Sequence, residues 1–473
     1  MMTTSSNGIH AESQSTVYVL YRRRFYILGV FSFLSFNQCS FWLTFSPVSP
    51  SAQSYYNISS STVDLLLNWG PIIFIPCLPL AYILLNTRNG LRRTVICIAV
   101  ACFIATLLRV IPSIVVSHSN PHFKTIALSF FHAGQIINAA CGPLVMMPVS
   151  QLSCLWFGPN ERARATTFAI MANVFGSTVS FVINPWIVSR PSNLPYLLYF
   201  HLGLALVAGI LTLAYFPAQP PKPPSHAAEV LMNVENNNSD SGFKVYMKGL
   251  RQCIMNPSFV LLAIVGGVMT GTFSVWTSLF STILAPENYS EQQAGWFGFA
   301  SSLASIVGGF CLGALADSSR FRRSLKMLII IVLIACFIPI VWFQLSVRSV
   351  FYDAHVLSST QYTIGIAATL VGLFQGAAAP LVYESLAEIT YPLPESLSAS
   401  VLVQLNNVTF LTLLFAVSGR YKIMNLLVVI AIGVSIVMAA LARVSYKRRD
   451  EDERKKREGN DTMQLNSTIS TTN

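Results

Sequence analysis

Long apolar runs separated by short polar segments dominate the chain. Twelve runs can be marked, and each has the length of about 20 residues that an α-helix needs to cross the hydrocarbon core of a bilayer. They are residues 25–47, 63–85, 94–117, 125–149, 164–187, 195–216, 257–284, 292–315, 325–345, 360–384, 397–417 and 423–445. Because the runs are continuously apolar rather than alternating, they exclude a membrane β-barrel. The pattern predicts an all-α membrane protein with twelve transmembrane helices in two six-helix bundles.

A polar stretch divides the twelve runs into two groups of six. It begins with a Pro-rich segment and continues through three consecutive asparagines, a composition typical of linkers. The predicted segments are a cytosolic tail at 1–24, an N-terminal bundle at 25–216, a cytosolic linker at 217–256, a C-terminal bundle at 257–445 and a cytosolic tail at 446–473.

Composition and charge support this interpretation. The chain is 53% hydrophobic and only 10% charged, whereas a soluble domain carries about 25% charged residues, so a soluble enzyme is excluded. With the N-terminus in the cytosol, 24 of the 30 Lys and Arg residues fall in inner segments and five in outer loops. Such an excess marks cytoplasmic loops, so the net charge of +11 reports topology rather than a nucleic-acid partner. Arg109 is the one basic residue far from the ends of its run, and we expect it to pair or to extend outward.

Two N-x-S/T sequons lie in predicted outer loops, at Asn57 and Asn288, and we expect these two to be the glycosylation sites. The remaining sequons lie within a run or in inner segments.

The two halves share a motif in the inner loop between their second and third runs. The second half reads Gly313-Ala-Leu-Ala-Asp317-Ser-Ser-Arg320-Phe-Arg322-Arg323. This resembles the G-x-L-x-D-x-x-G-R-R loop of the major facilitator superfamily, and the resemblance implies a gating latch formed by the acid and the arginines. The first half carries Asn86 in place of the acid, followed by Arg92 and Arg93. The alternative for these arginines is simple positive-inside anchoring.

Two other segments carry further motifs that resemble this superfamily and one of its families. Trp156-Phe157-Gly-Pro-Asn-Glu161-Arg162 matches the W-F-x-x-x-E-R found before the fifth span in that superfamily. Glu388-Ile-Thr390-Tyr391-Pro392-Leu-Pro394-Glu395 resembles a stretch of solute carrier family 49, in particular its "disrupted in renal carcinoma 2" branch, a relative of the feline leukemia virus subgroup C receptor.

The resemblance implies a monomeric transporter without a cofactor or metal, placed in the lysosomal membrane with the plasma membrane as the alternative. It favours pyridoxine (vitamin B6) carried with H⁺. Choline, ethanolamine and haem are the alternatives within the family.

Polar residues inside spans are costly and tend to face a substrate cavity near the midplane. Gln135 and Asn138 are three residues apart and share a helix face; helix–helix hydrogen bonding is the competing interpretation. Trp42 matches the first-span tryptophan of the family's aromatic cage, whereas Ser274 replaces the seventh-span tyrosine and Trp276 follows two residues later. The predicted substrate-binding residues are Trp42, Gln38, Gln135, Asn138, Asn173, Trp276, Gln375 and Asn407.

Few titratable groups lie in or beside the runs. His132 is the first candidate for proton coupling, because histidine titrates near physiological pH, and Glu384 is the second. A packing histidine is the alternative for His132. The runs contain no nucleophile–base pair and no H-E-x-x-H, which argues against a membrane-embedded enzyme. A non-transporting membrane receptor is the alternative to a transporter, and only a flux assay distinguishes the two.

Overall fold

The computed structural model describes residues 18–85, 87–117, 119–158, 161–225, 228–229, 232, 242–317, 324–352, 356–390, 395–418 and 420–446. Within these ranges the chain forms helices joined by short turns, three of them 3₁₀ turns at Ser46–Val48, Pro191–Asn193 and Ala285–Glu287. The α-helices are α1 (Arg23–Trp42), α2 (Ser49–Tyr56), α3 (Ser60–Leu85), α4 (Gly90–Val115), α5 (Phe123–Met146), α6 (Val149–Trp156), α7 (Arg162–Ile187), α8 (Leu194–Ala214), α9 (Gly242–Ile254), α10 (Pro257–Ser278), α11 (Phe280–Leu284), α12 (Glu291–Asp317), α13 (Leu325–Ser346), α14 (Gln361–Thr390), α15 (Glu395–Val417) and α16 (Lys422–Leu441).

Most of the long helices are apolar enough to cross a membrane. Eleven helical segments of the described chain meet that requirement by length and hydropathy. The helix α5 is a further long one, and His132, Gln135 and Asn138 lower its mean hydropathy. The predicted fold class is confirmed: the protein is an all-helical, multi-pass membrane protein.

The helices pack as two bundles. In the N-terminal bundle α1 packs against α5, α7 and α8, and α4 packs against α5 and α8. In the C-terminal bundle α14 packs against α12 and α13, and α10 packs against α15 and α16. The bundles meet where α7 contacts α12 and where α3 contacts α15.

Two helix boundaries differ from the apolar pattern. The first run continues to residue 47, but α1 ends at Trp42, and a 3₁₀ turn and α2 follow. Pro47 and Pro50 each lie at the start of one of these short elements, where a residue without a backbone N–H is tolerated. Within the predicted linker, residues 242–254 form α9, because Leu250 and Cys253 can pack on the apolar core of the C-terminal bundle.

Glycines allow α12 and α14 to approach closely. A Cβ atom at Gly372 would overlap the carbonyl oxygen of Ser301, and one at Gly376 would overlap the carbonyl oxygen of Ser305. Small residues at such positions let helix backbones pack directly, which is the main source of association between helices in lipid. The contact fixes the second helix of the C-terminal bundle against the fourth.

We expect Gly376→Ala to lower the thermal unfolding midpoint of the purified protein, because the added methyl group would have to displace backbone. Overpacking of this kind costs about 1–3 kcal/mol. Gly209→Ala on α8 is the control, since nothing lies within 4 Å of a Cβ there. Equal midpoints for the two variants would contradict the close contact.

Candidate functional site

The end of the bundles that carries α2, α11 and the Ser46–Val48 turn is called the outer end here, since positive charge predicts that it faces away from the cytosol. The site is built around the break after α1. A helix end leaves its last carbonyl groups without partners inside the helix. Side chains from three neighbouring helices, namely Arg109 on α4, Gln135 on α5 and Asn184 on α7, supply those partners.

Arg109 provides the first of these contacts. Its Nη1 donates to the carbonyl oxygen of Phe41 and to Oγ1 of Thr44, both at 2.9 Å. Its Nη2 donates to Oε1 of Gln135 and, at 3.4 Å, to the carbonyl oxygen of Gly134. Of the two expectations for Arg109, the structure contradicts extension outward, because the side chain is buried and paired with oxygen acceptors. Arg109 is 1% exposed, and its acceptors are neutral oxygens, two at or just after the negative end of α1 and two on α5.

Gln135 and Asn184 complete the capping of α1. Gln135 Nε2 donates to the carbonyl oxygens of Trp42 and Leu66, each at 3.2 Å. Asn184 Nδ2 donates to the carbonyl oxygens of Leu43, at 3.0 Å, and Thr44, at 3.3 Å. The amide of Gln135, predicted to bind substrate, therefore bridges Arg109, α1 and α3 in this structure.

Two further predicted residues join α1 to its neighbours. Gln38 Nε2 donates to the carbonyl oxygen of Asn138 at 3.3 Å, and Asn138 Nδ2 donates to the carbonyl oxygen of Gln38 at 3.2 Å. Asn173 Nδ2 donates to the carbonyl oxygen of Ser35 at 3.0 Å. All three side chains are buried. Their contacts correspond to the helix–helix bonding that was the alternative to a cavity role.

Trp42 lies where the two bundles meet. Its indole Nε1 donates to the carbonyl oxygen of Leu67 at 2.9 Å, and its ring packs on Gly70 of α3. The ring centroid is 5.4 Å from that of Phe410 on α15, across the interface. Trp42 is partly exposed, so one part of its surface is available to a ligand.

The predicted residues of the C-terminal bundle separate into two kinds. Trp276 is fully buried; its Nε1 donates to Oδ1 of Asn425 at 2.8 Å and its ring packs on Phe280 and Phe343. Gln375 and Asn407 each carry a buried amide nitrogen without a hydrogen-bond partner among the described residues. Asn407 precedes Phe410 by three residues, so it lies on the same face of α15, one turn toward the inner end.

Sequence reasoning did not select Asn68 of α3. It follows Asp64 by four residues, and its side chain is 0% exposed. Neither Oδ1 nor Nδ2 has a hydrogen-bond partner in the described part of the chain. The sequence does contain a signal for Asn68, because it is a polar residue within an apolar run and lies one helical turn from Asp64.

The two proton-coupling candidates lie apart. His132 is partly exposed, and its Nδ1 accepts a hydrogen bond from Trp69 Nε1 at 2.9 Å. Glu384 is partly exposed near the inner end of α14.

Most of the predicted gating latch lies outside the described residues. This applies to Asn86, Arg322 and Arg323 and to the side chain of Asp317. Arg92 and Arg93 are exposed in the first turn of α4. In the W-F-x-x-x-E-R segment, Glu161 forms an ion pair with Arg24 at 3.1 Å, which joins the starts of α7 and α1.

The two predicted glycosylation sites occupy turns at the outer end. Asn57 and Asn288 are exposed and adopt left-handed backbone conformations, with φ of 51° and 64°. Their modification stays a prediction.

Carboxylates that were not selected from the sequence hold the two bundles together at the outer end. Asp64 of α3 accepts from Tyr421 Oη at 2.8 Å and from Ser418 Oγ at 3.2 Å. Glu291 of α12 accepts from the backbone nitrogen of Ser51 at 2.6 Å and from its Oγ at 2.8 Å. Each acid reaches donors of the opposite bundle. These four bonds are called the outer gate below.

Further contacts surround the outer gate. Ser46 Oγ donates to the carbonyl oxygen of Ser278, and Ser281 Oγ donates to the carbonyl oxygen of Ser46 at 2.9 Å. An apolar cluster unites Leu43 and Phe181 of the N-terminal bundle with side chains of the C-terminal bundle. The outer end is therefore closed by both polar and apolar contacts. In the described residues no group of His, Cys, Asp and Glu could hold a metal ion.

Two long-helix bundles closed against each other at one end define a carrier of the major facilitator type. The Major Facilitator Superfamily model matches residues 30–411. The xylose transporter XylE from E. coli, in a partially occluded inward open conformation, has a similar structure, with a TM-score of 0.60 at 15% identity over 87% of this chain and 97% of that one. A bacterial homolog of the human lysosomal transporter Spinster gives a TM-score of 0.60 at 13% identity, over 90% and 97% of the two chains.

Proteins with similar sequences show which family within the superfamily this chain resembles. The solute carrier family 49 member 4 homolog of Xenopus laevis is 30% identical over 91% of this chain and 93% of its own length. The choline/ethanolamine transporter FLVCR1 of Felis catus is 27% identical over 90% and 74%. The chain belongs to the major facilitator superfamily and, within it, to solute carrier family 49, as its motifs indicate.

We expect Gln135→Leu to lower the thermal unfolding midpoint of the purified protein without substrate. The change leaves two backbone carbonyls and part of Arg109 unpaired, and an unpaired buried polar group costs about 1–3 kcal/mol. Ser129→Ala, on the exposed side of the same helix, is the control. An unchanged midpoint together with a raised KM for substrate would instead favour direct substrate binding by Gln135.

We expect the double change Asp64→Ala and Glu291→Ala to shift the protein toward an outward-open state. Each bond to a charged group contributes about 1.5–3 kcal/mol, so removing the outer gate shifts a two-state population by about tenfold or more. Spin labels at Tyr196 and Val350, both exposed at the outer end, would report a longer distance between the bundles. Exposed Cys97 and Cys311 would first be replaced by serine.

Glu287→Ala is the matched control for the outer gate, because this acid contacts Arg348 within the C-terminal bundle. The role of the gate would be refuted if the double variant and the control gave the same distance distribution.

Proposed function

We propose that this protein is a secondary active transporter that carries a small organic metabolite by alternating access. The observation that carries the proposal is the closed outer end with Trp42 and Phe410 beneath it. A carrier with one central site and a closed outer end offers that site to the inner side. The bonds of the outer gate are few and reversible, which suits an end that must open once in every cycle.

The proposed substrate site combines one aromatic surface with unpaired amides. Trp42 supplies the ring, and Asn407 lies one turn inward from the phenyl ring that Trp42 contacts. Asn68 adds a whole amide group, and Gln375 adds an amide nitrogen, that are buried and have no partners within the described chain. Such groups are costly unless a ligand satisfies them. A flat ring that carries hydroxyl groups would stack on Trp42 and bond to these amides.

Pyridoxine fits this chemistry. Its pyridine ring carries three hydroxyl-bearing substituents, and it needs no fixed counter-charge in the site. Gln38, Gln135, Asn138 and Asn173 would then act indirectly, by holding α1 and Trp42 in place. Trp276 would act within the core of its own bundle, since it is fully buried.

Choline or ethanolamine is the second candidate. A relative named for these substrates is similar over most of its length, and the Phe410 ring beside Trp42 offers a second aromatic face for a cation. The aromatic cage for a cation is incomplete here. Ser274 stands in place of the cage tyrosine, and the ring of Trp276 is buried and cannot replace it. Haem fits less well, because its carboxylates would require cations and Arg109 is already committed to α1.

We propose H⁺ as the coupling ion and His132 as the group that carries it. His132 is partly exposed and contacts Trp69, on α3. On the helices packed against α5, the charged residues toward the outer end are Asp64 of α3 and Arg109 of α4, and both have partners of their own. Placement in the lysosomal membrane would supply a proton gradient from the outer side.

The test is uptake of labelled pyridoxine by cells that express a surface-trapped form. We expect Trp42→Ala to abolish uptake or raise KM at every pH, because the stacking surface is lost, while Trp296→Ala, an exposed tryptophan of α12, leaves uptake unchanged. Asn407→Ala and Asn68→Ala should raise KM. Normal uptake by Trp42→Ala would refute the site, and stronger competition by choline than by unlabelled pyridoxine would favour the second candidate.

The same assay at acidic and neutral outer pH tests the coupling. Wild-type uptake should rise as outer pH falls, and His132→Gln should flatten that profile while substrate still binds. If uptake by His132→Gln depends on outer pH as the wild type does, His132 does not carry the coupling proton. Glu384 is then the next residue to substitute.

A further inference from the structure

Trp69 of α3 contacts His132 of α5, the residue proposed above to carry the coupling proton. Trp69 Nε1 lies 2.9 Å from His132 Nδ1. The two rings meet edge to face, with 6.2 Å between their centroids and 80° between their planes. Both side chains are partly exposed. The contact therefore combines a directed hydrogen bond with an aromatic contact between two helices of the N-terminal bundle.

The chemistry of the two rings fixes the protonation state that this bond requires. An indole N–H can only donate, so Nδ1 of His132 must accept with its lone pair. Neutral histidine offers that lone pair when its proton is on Nε2, whereas protonated histidine carries a hydrogen on both ring nitrogens. Protonation of His132 therefore turns the acceptor into a second donor, and two facing N–H groups cannot stay at hydrogen-bond distance.

The charged groups around this bond lie apart from it or are bonded elsewhere. The long helices packed against α5 are α1, α3 and α4. Toward the outer end, Asp64 of α3 and Arg109 of α4 have partners of their own, and Lys124 of α5 is exposed. The other charged residues of these helices lie at their inner ends, namely Arg23, Arg24, Arg92 and Arg93.

The remaining titratable side chains near α5 are tyrosines and cysteines. The tyrosines of α2 pack on Phe123 and Phe131, and cysteines lie on α1, α3, α4 and α5. At ordinary pKa values of about 8.5 or higher, both kinds of side chain are neutral between acidic and neutral pH. Asp64 is the acid of the same helix as Trp69, five residues away, and the experiment below controls for it.

The turn of α3 that carries Trp69 also holds Trp42. The carbonyl oxygen of Leu67 accepts from Trp42 Nε1 at 2.9 Å, and the ring of Trp42 packs on Gly70. The carbonyl oxygen of Leu66 accepts from Gln135 Nε2 at 3.2 Å. Residues 66–70 thus contact both α5 and the end of α1 within little more than one helical turn. A displacement of this turn relative to α5 would change where the Trp42 ring lies.

We infer that Trp69 is a positioning residue of the transport cycle, which joins the state of His132 to the place of Trp42. The bond to neutral His132 holds the 66–70 turn of α3, and with it Trp42, in the arrangement seen here; protonation of His132 releases the turn. The inference rests on the proposed function, in which His132 carries the coupling proton and Trp42 stacks on the substrate. It adds the physical link between the two, because they lie on different helices and Trp69 connects them through α3.

The experiment follows the indole N–H signals of isotope-labelled tryptophan by NMR, in the purified full-length protein without substrate, at acidic and neutral pH. Trp69→Phe and Trp42→Phe assign the two signals by their absence. We expect both signals to shift with pH in the wild type. His132→Asn keeps an acceptor oxygen near the position of Nδ1 at every pH, so neither signal should shift. In Trp69→Phe the Trp42 signal should stay at its acidic wild-type position.

Two variants serve as controls. Asp64→Asn removes the titratable acid of the same helix, and Trp296→Phe replaces an exposed tryptophan of α12. The Trp42 signal should keep its pH dependence in both, which a merely structural role of Trp69 would not distinguish from Trp69→Phe. A Trp42 signal that does not respond to pH in the wild type would overturn the inference, as would one that still responds in Trp69→Phe.

Uptake of labelled pyridoxine separates this inference from the proposed function. The ratio of uptake at acidic to uptake at neutral outer pH should fall to about one in both Trp69→Phe and His132→Asn. Uptake should lie at the acidic wild-type level in the first variant and at the neutral wild-type level in the second. If Trp69→Phe keeps the wild-type ratio, the inference is overturned while transport stands. If the wild type takes up no pyridoxine, the proposed substrate is wrong, and the Trp42 signal still decides whether Trp69 links the two side chains.

Discussion

The structure depends on how the broken end of α1 is held. The helix stops at Trp42 in the interior of the protein, where water cannot satisfy its last carbonyls, so the protein must supply donors. Arg109 does so with a permanent charge and five N–H groups. Burial of an unpaired cation is costly, but here the negative end of the helix and neutral oxygens surround it. The charge is thus stabilised by dipoles rather than by a single counter-ion.

The contacts that hold this end also position Trp42, the aromatic residue of the proposed substrate site, and one part of the outer gate. Trp42 is the last residue of α1, and Gln135 fixes its carbonyl while Leu67 fixes its indole. Only nine residues further, Ser51 reaches Glu291 in the opposite bundle. The aromatic surface beneath the outer gate and a part of the gate itself therefore belong to one short, rigidly held segment. Movement of α1 against its neighbours would displace both together.

The sequence predicts the fold well because each spanning segment in lipid must be a helix that is apolar over its whole length. This requirement is visible in the sequence as twelve long apolar runs. The sequence predicts side-chain roles less well. Gln135 and Asn138 share a face as their spacing requires, but that face meets α1 and its unpaired carbonyls, and the break in α1 is not visible in an apolar run. Asp64 and Tyr421 are 357 residues apart, so no local pattern could join them. Trp276 shows the same limit of sequence reasoning. It lies two residues from the position of the family's cage tyrosine, yet its ring is buried in the core of the C-terminal bundle.

The outer gate has a symmetry that follows from the repeat. Asp64 and Glu291 both lie near the outer end of the second long helix of their bundles, α3 and α12, and each accepts from the opposite bundle. Their donors are hydroxyl and backbone N–H groups rather than arginine or lysine. Separating a buried ion pair would leave two uncompensated charges, a cost of several kcal/mol. When the gate opens, water can replace a hydroxyl donor at little net cost. Carboxylates with neutral donors therefore give a contact that is specific enough to close the end and weak enough to release it in every cycle.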